Sequence, residues 1–508
     1  MSQTEEPAAS EPAAIYRARG ANASERILAD LGEQVFLNLW SYPNLFYNKK
    51  QKDKGDGKEL CDLLVVCGDD IIIFSDKAIK WSADKELKIA WPRFYRKAIQ
   101  ASVDQINGAE RIITDFPEKI FTDPACTQRF PVPLPPIVTR RVHGVVVASG
   151  CHKVIQAELN DQSGSFMILP HLKGSQHLDA TTEGCLPFGV GDVNPGGLFI
   201  HVFDDVSIRR VMEQLDTIAD FTEYLIKRAE YLRSGLLLMA HGEEELLGRY
   251  LTNGMITGKP NFEARKRRKK DRNALMTTIQ GEWAAYLWSE GYLAKSLAND
   301  QAKIWDRIIN LFSGNVIAGT SVAVLDQLPS AGKSEEALRY MALENRFNRR
   351  ILGEAVFGAL QVAEEVRQPR FTRIMMPTTN SATRGLVYIL MILAYPTDLE
   401  KQGGLEGGYD QYRRARAAML EAYCMNVLAQ HRDMKTAVGI AIDASTLQTG
   451  RRGGSEDLVA VQVDEWTDEM VAAAATAQEQ FDVYRKQRLK FTEIRRHQYP
   501  LFGTNTEE

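Results

Sequence analysis

Asp62 and Lys77 are the residues whose placement demands an explanation. They lie in ELCDLLVVCGDDIIIFSDKAIKW (59–81), each breaking a nearly continuous apolar run. A charge inside a buried strand costs several kcal/mol unless it is paired or binds a metal. The runs Leu60–Cys67 and Ile71–Phe74 flank Gly68-Asp69-Asp70. β-branched residues on either side of a Gly/Asp turn predict a hairpin, and the unbroken apolarity predicts strands buried on both faces. Alternation along a strand puts Ser75 and Lys77 on one face and Asp76 on the other. Strands pairing across this turn bring Asp62 toward the 75/77 face at the open end.

The neighbouring elements must deliver the rest of the chemistry. Residues 22–40 read as a helix opened by Asn22 and Glu25, with an apolar stripe of Ile27, Leu28, Leu31, Val35 and Leu39. Glu33 lies beside that stripe, and a packed helix would carry it to the hairpin. Two carboxylates, a hydroxyl and an ammonium would then share one pocket. Such a pocket suits Mg²⁺, which keeps several waters and binds through few carboxylates. Lys77 would hold or help deprotonate a water nucleophile, whose pKa the metal lowers. Tyr42–Asn48 reads as a strand before the hairpin. A helix over about 91–113 comes after it, with Phe94, Ala98, Ile106 and Ala109 on one face and Arg93, Lys97, Gln100 and Asp104 on another. After the connector PVPLPPI, residues 140–149 form a strong strand. The order is αβββαβ.

This arrangement resembles the PD-(D/E)xK, or restriction-endonuclease-like, nucleases over residues 22–149. It rests on the helix with Glu33, the hairpin Asp62…Ser75-Asp76-Lys77, the helix KAIQASVDQINGAERII (97–113) and the strand after it. The resemblance implies a nuclease using Mg²⁺ or Mn²⁺, with Asp62 and Glu33 as metal ligands and Lys77 as the catalytic lysine. Gln100 or Gln105 would position substrate or water. The implied partner is nucleic acid, DNA rather than RNA, and bacterial defence is the role such nucleases suit. One departure stands out: the family's acid two before the lysine is Ser75 here. Glu86 could supply a relocated carboxylate and complete the metal set. A bulge could instead turn Asp76 inward. Alternatively, the fold serves binding without catalysis, with Asp62 and Lys77 as a buried ion pair.

The rest of the 508-residue chain is expected to form a mixed α/β protein. Residues 21–205 are expected to form the nuclease domain with an insertion at 150–200, 206–314 a helical region, and 315–508 a second mixed domain. VSIRRVMEQLDTIADFTEYLIKRAEYL (206–232) reads as one long helix. Strands are expected at 316–324, 371–376, 386–394, 437–442 and 458–463. Net charge of −4 excludes a strongly basic body, so a nucleic-acid surface must be local. The basic run RKRRKKDR (265–272) either meets phosphates or is a solvated face beside the acidic HGEEE (241–245). QLPSAGKS (327–334) is P-loop-like but lacks the first glycine, which favours a capping loop with Ser334 as N-cap. A nucleotide-dependent enzyme remains a third class of function. His143 and His201 read as packed core residues, and Asp443, Glu456 and Asp457 as a solvated cluster at loop ends. Trp283, Tyr286, Trp288 and Tyr292 read as core aromatics. Six scattered cysteines argue against a disulfide framework or zinc site. Residues 1–20 read as disordered, with no signal peptide. No run is long enough to span a membrane, and a cytoplasmic protein, monomeric or homo-oligomeric, is expected.

Overall fold

The computed structural model describes residues 14–48, 57–160, 164–179, 181–263, 275–318, 331–366, 370–376, 385–395, 408–443, 456–485, 490, 492–494 and 496–500. The protein is mixed α/β and divides into two compact units, Tyr16–Ala298 with Arg496–Glu508, and Met1–Ile15 with Asn299–Arg495. The boundary therefore falls at 298/299, and residues 206–298 belong with the N-terminal sheet. Among the described residues no helix is long and apolar enough to cross a membrane.

The larger unit opens with α1 (Ala23–Phe36), whose N-cap Asn22 accepts from the Glu25 N–H. β1 (Ser41–Asn48), β2 (Gly57–Cys67) and β3 (Asp70–Ala78) come next. Cys67 pairs with Asp70, so Gly68-Asp69 is a two-residue turn, and Gly68 takes φ +60. Positive φ at the first turn position is what glycine supplies there. Then come α2 (Leu87–Phe94), a π-helical turn at Tyr95–Gln100 and α3 (Ala101–Asp115). Pro92 lies inside α2. β4 (Ile120–Phe121) and β5 (Arg141–Ser149) complete the first part of the sheet.

The six-stranded order is β4-β1-β2-β3-β5-β8, where β8 is Ile200–Phe203. β2 runs antiparallel to both of its neighbours, β1 and β3, while β3, β5 and β8 run parallel. Alternation decides which helix each residue meets. Phe74 faces α1, with its ring 5.9 Å from Phe36, and Ser75 faces α3. Leu63, Leu64, Val65, Ile71, Ile72, Ile73 and Phe74 are all buried, as expected of strands covered on both faces.

Beyond β5 the expected insertion builds a second sheet. α4 (His152–Leu159), β6 (Met167–Lys173) and β7 (Gly189–Asp192) precede β8. The expected long helix splits into α5 (Asp205–Gln214) and α6 (Ile218–Arg233), because Thr217 accepts from the Asp220 N–H and restarts the helix. β9 (Leu237–Ala240), α7 (Glu243–Thr257) and β10 (Met276–Thr278) come after it, and the second sheet has the order β10-β9-β6-β7. α8 (Glu282–Leu287) and α9 (Glu290–Asn299) end this stretch. Tyr286 is buried as expected, but Trp288 is 88% exposed. The basic run 265–272 lies outside the described residues.

The smaller unit contains α10 (Lys303–Ile317), α11 (Ala331–Ala342) and α12 (Arg346–Val366). Residues 316 and 317 are thus helical, not strand, and 319–324 lie outside the described residues. α11 begins at Ala331, so Ser334 sits inside the helix rather than capping it, and 327–330 are not described. The unit continues with β11 (Arg370–Met375), β12 (Leu386–Leu393), α13 (Gly408–Gln430), β13 (Thr436–Asp443), β14 (Glu456–Gln462) and α14 (Asp468–Phe481). β12 and β13 are parallel, joined by the α13 crossover, while β11 and β14 pair antiparallel at the edges. Asp443 and Asp457 are not loop-end groups in solvent: Asp457 is buried, and both bond the fully buried Arg416.

Candidate functional site at the diverging ends of β2 and β3

The hairpin pairs from Cys67↔Asp70 to Leu63↔Phe74 and then stops. Asp62 and Ser75 would be the next partners, so the strands separate at the charged residues. Asp62 fills the gap. Its Oδ2 accepts from the Asp76 backbone N–H at 2.6 Å and lies 3.4 Å from Lys77 Nζ. Asp62 is 2% exposed, and its Oδ1 is buried with no hydrogen-bond donor. Lys77 remains partly open to solvent.

Ser75, fully buried, is committed to α3. Its Oγ donates to Gln105 Oε1 at 2.9 Å and lies 3.0 Å from Ser102 Oγ. Gln100 turns away, donating to Asp104 Oδ1 on the exposed side at 3.0 Å. The π turn contributes to that division. An i→i+5 turn holds one residue more than an α turn and rotates the residues after it by about 100°.

The acids expected around Asp62 are placed differently. Glu33 is half-buried on α1 and pairs with Arg17 Nη1 at 2.9 Å. Glu86, just before α2, is exposed and pairs with Lys88 at 2.8 Å. The buried acid of α1 is Glu25. Its Oε2 accepts from Ala21 N–H at 2.7 Å and Asn44 Nδ2 at 3.0 Å, and its Oε1 bonds Asn22 Nδ2. Asp76 is buried on the α1 face, as strand parity requires. Burial pushes its carboxyl up to about 6; the Ser24 hydroxyl opposes this, and the charges of Asp62 and Glu25 add to it.

Glu59 also joins the cluster. Its carboxyl is pushed up to about 7, first by a hydrogen bond shared with Asp62, then by burial and the Asp62 charge, while Lys77 opposes the rise. Sequence reasoning passed over Glu59 and Glu25. Glu59 stands at a strand entrance where exposed acids are common. Glu25 looked like a helix-capping residue, which it also is.

Among the described residues no three His, Cys, Asp or Glu side chains form a ready metal group. Two carboxylates with an open side still match the donor set of Mg²⁺, which retains most of its waters. The undonated Asp62 Oδ1 is the atom such an ion would satisfy.

A second polar network lies where α6 and α7 pack. The acidic run opens α7, and Glu243, Glu244 and Glu245 are all buried. Glu243 takes bonds from Arg228 Nε and Nη2 at 2.9 and 2.7 Å and from Tyr224 OH at 2.5 Å. Arg228 Nη1 lies 3.2 Å from Nδ1 of the buried His201. His143, on β5, bonds Asp70 at 2.8 Å, so both histidines are core residues with polar partners. Glu244 pairs with Arg210 at 2.6 Å and bonds Ser165. Burial and the nearby Asp204 charge push Glu244 up to about 7. A raised carboxyl stabilises the fold below its unfolded value of 4.5, and that contribution is lost as pH rises through about 7. Glu244→Gln is expected to shrink the loss of unfolding free energy between about pH 5 and about pH 8 by roughly 2–3 kcal/mol. Urea titrations at both pH values check this; an unchanged difference refutes it.

Comparison with protein-family models, curated proteins and solved structures found no match to this chain.

Proposed function

We propose that the larger unit is a divalent-metal-dependent phosphodiesterase of the PD-(D/E)xK type that hydrolyses nucleic acid, DNA in preference to RNA. One observation carries this reading: Asp62 and Lys77 meet in the gap where β2 and β3 part, and one Asp62 oxygen has no donor. A buried carboxylate with an unused oxygen, beside a partly exposed ammonium, is costly for stability alone. It is useful where a cation and a phosphate must meet. A bound Mg²⁺ or Mn²⁺ would supply an acidified water and offset charge growing on the phosphate. Asp62 would hold the ion. Lys77 would donate to the attacking water or to a phosphate oxygen, and the Asp76 N–H fixes the Asp62 carboxylate. A place in bacterial defence rests only on analogy of fold.

A second reading has its own support. The hydroxyl of Ser75 is used up on α3, so the position normally acidic in this family contributes no charge. On this reading the unit binds nucleic acid without cutting it.

The test is incubation of the purified chain with supercoiled plasmid, linear duplex, single-stranded DNA and RNA, in Mg²⁺, Mn²⁺ or EDTA. Cleavage is expected with metal and absent with EDTA, and Lys77→Ala should slow it about 100-fold or more. Cleavage indifferent to EDTA and to Lys77→Ala sinks the first reading. Retention of a labelled duplex without cutting, weakened by Lys77→Ala, establishes the second.

A further inference from the structure

We propose that Glu59 is the second metal-facing carboxylate of this site, turned inward by a β-bulge at Leu60 and standing in for Ser75. The inference rests on the phosphodiesterase reading and deepens it.

The argument starts from strand parity. Glu59 and Asp62 are three residues apart, so on a regular strand they would point to opposite faces. The pairing of β1 with β2 is irregular at this point. Leu45 faces Cys61, but the next residue, Phe46, faces Glu59, leaving Leu60 as the extra residue. Directly opposed residues share a face, and neighbours Leu45 and Phe46 lie on opposite faces. Glu59 is therefore opposite to Cys61, which puts it on the face of Asp62. A bulge re-aims a side chain in this way, and bulges gather beside active sites. Ser75 and Lys77 share that face, since Asp62 would oppose Ser75 if pairing continued past Leu63↔Phe74.

The chemistry fits the geometry. Asp62 is 2% exposed, yet its Oδ1 receives no donor, while its Oδ2 is fixed by the Asp76 N–H in the gap. Glu59 is near enough to Asp62 to respond to its charge, and it lies at the exposed entrance of β2, where a hydrated ion can enter. Three other acids are engaged elsewhere: Glu33 holds Arg17, Glu86 holds Lys88, and both Glu25 oxygens accept nitrogen donors. Asp76, whose two carboxylate oxygens are buried with no hydrogen-bond partner, is set apart by its face, since strand parity turns it toward α1. One buried and one rim carboxylate, with waters completing the shell, is the ligand set that Mg²⁺ prefers.

Mn²⁺ binding to the full chain, monitored by the loss of the free-ion electron paramagnetic resonance signal, tests the assignment without reference to activity. Wild type is expected to bind one ion, Glu59→Gln to weaken binding about 10–100-fold, and Glu59→Asp to recover part of it. Circular dichroism confirms that each variant is folded. A second measurement uses wild type alone: Fe²⁺ with ascorbate and peroxide should cut the backbone near 59–62 and 75–77. Glu59→Gln binding Mn²⁺ within about twofold of wild type, wild type binding none, or Fe²⁺ cutting only elsewhere overturns the proposal. The two readings fail separately. Metal bound through Glu59 with no nucleic acid cut removes the phosphodiesterase and keeps the ligand. Asp62→Asn losing binding and cleavage while Glu59→Gln keeps both removes the ligand and keeps the phosphodiesterase.

Discussion

Asp62→Asn is expected to abolish cleavage, lowering the rate about 1000-fold or more, while the protein melts at or above the wild-type temperature. The substitution keeps shape and volume. The asparagine oxygen can still accept the Asp76 N–H, so the strand gap is preserved. What disappears is the negative charge, and with it the means of holding a cation and of attracting Lys77. A thousandfold loss corresponds to about 4 kcal/mol of transition-state stabilisation, the size seen when one preorganised electrostatic group is removed. Stability should move the other way. Asp62 raises the carboxyls of both Glu59 and Asp76, which is mutual repulsion in the fold, and a neutral side chain relieves it. The two readouts together exclude unfolding as the cause. Cleavage within tenfold of wild type would remove Asp62 from the chemistry.

The largest stability effect is expected in the smaller unit. Arg416 is fully buried on α13; its Nε donates to Asp457 Oδ2 at 2.7 Å, and its Nη1 bonds Asp443 Oδ1. Asp443 also accepts from Tyr409 and Tyr412, and Asp457 accepts from Arg413 at 2.8 Å. Arg416→Met removes a buried cation that bridges both carboxylates. Breaking a buried pair from one side leaves an uncompensated charge and costs about 3–5 kcal/mol. Lysine should not rescue it, because an ammonium lacks the planar fork that reaches two acids at once. Pairing Arg416→Met with Asp443→Asn should recover part of the loss, since it removes one stranded charge. Chemical denaturation of the single and double variants measures this. A loss below about 1 kcal/mol for Arg416→Met would show that Tyr409, Tyr412 and Arg413 suffice to hold the two acids.

The legible parts of this protein were those governed by local periodicity. The hairpin, its Gly68-Asp69 turn and its doubly buried strands arise from apolar runs around a turn that needs positive φ. The helix at Asn22, the strand at 141–149 and the β12 and β13 strands were readable for the same reason. Failures came where long-range partners override local pattern. Nothing local marked the EEE run for burial, because nothing nearby in sequence neutralises it. Arg228 and Arg210 do so from fifteen and thirty-four residues away. The 206–232 stretch kept a helical period across a break that Thr217 imposes.

The sequence by itself determined that a charged pair, Asp62 and Lys77, would stand at the open end of a buried hairpin, with Ser75 where an acid was expected. Strand alternation and turn chemistry are local rules, and both residues obey them. Only the tertiary structure decided which acids could join them. Glu33 is drawn off to Arg17, and Glu25 is the acid that α1 buries. Glu59 reaches Asp62 because one extra residue in the β1–β2 register reverses its face. A bulge depends on how two strands meet, so no period within either strand reveals it.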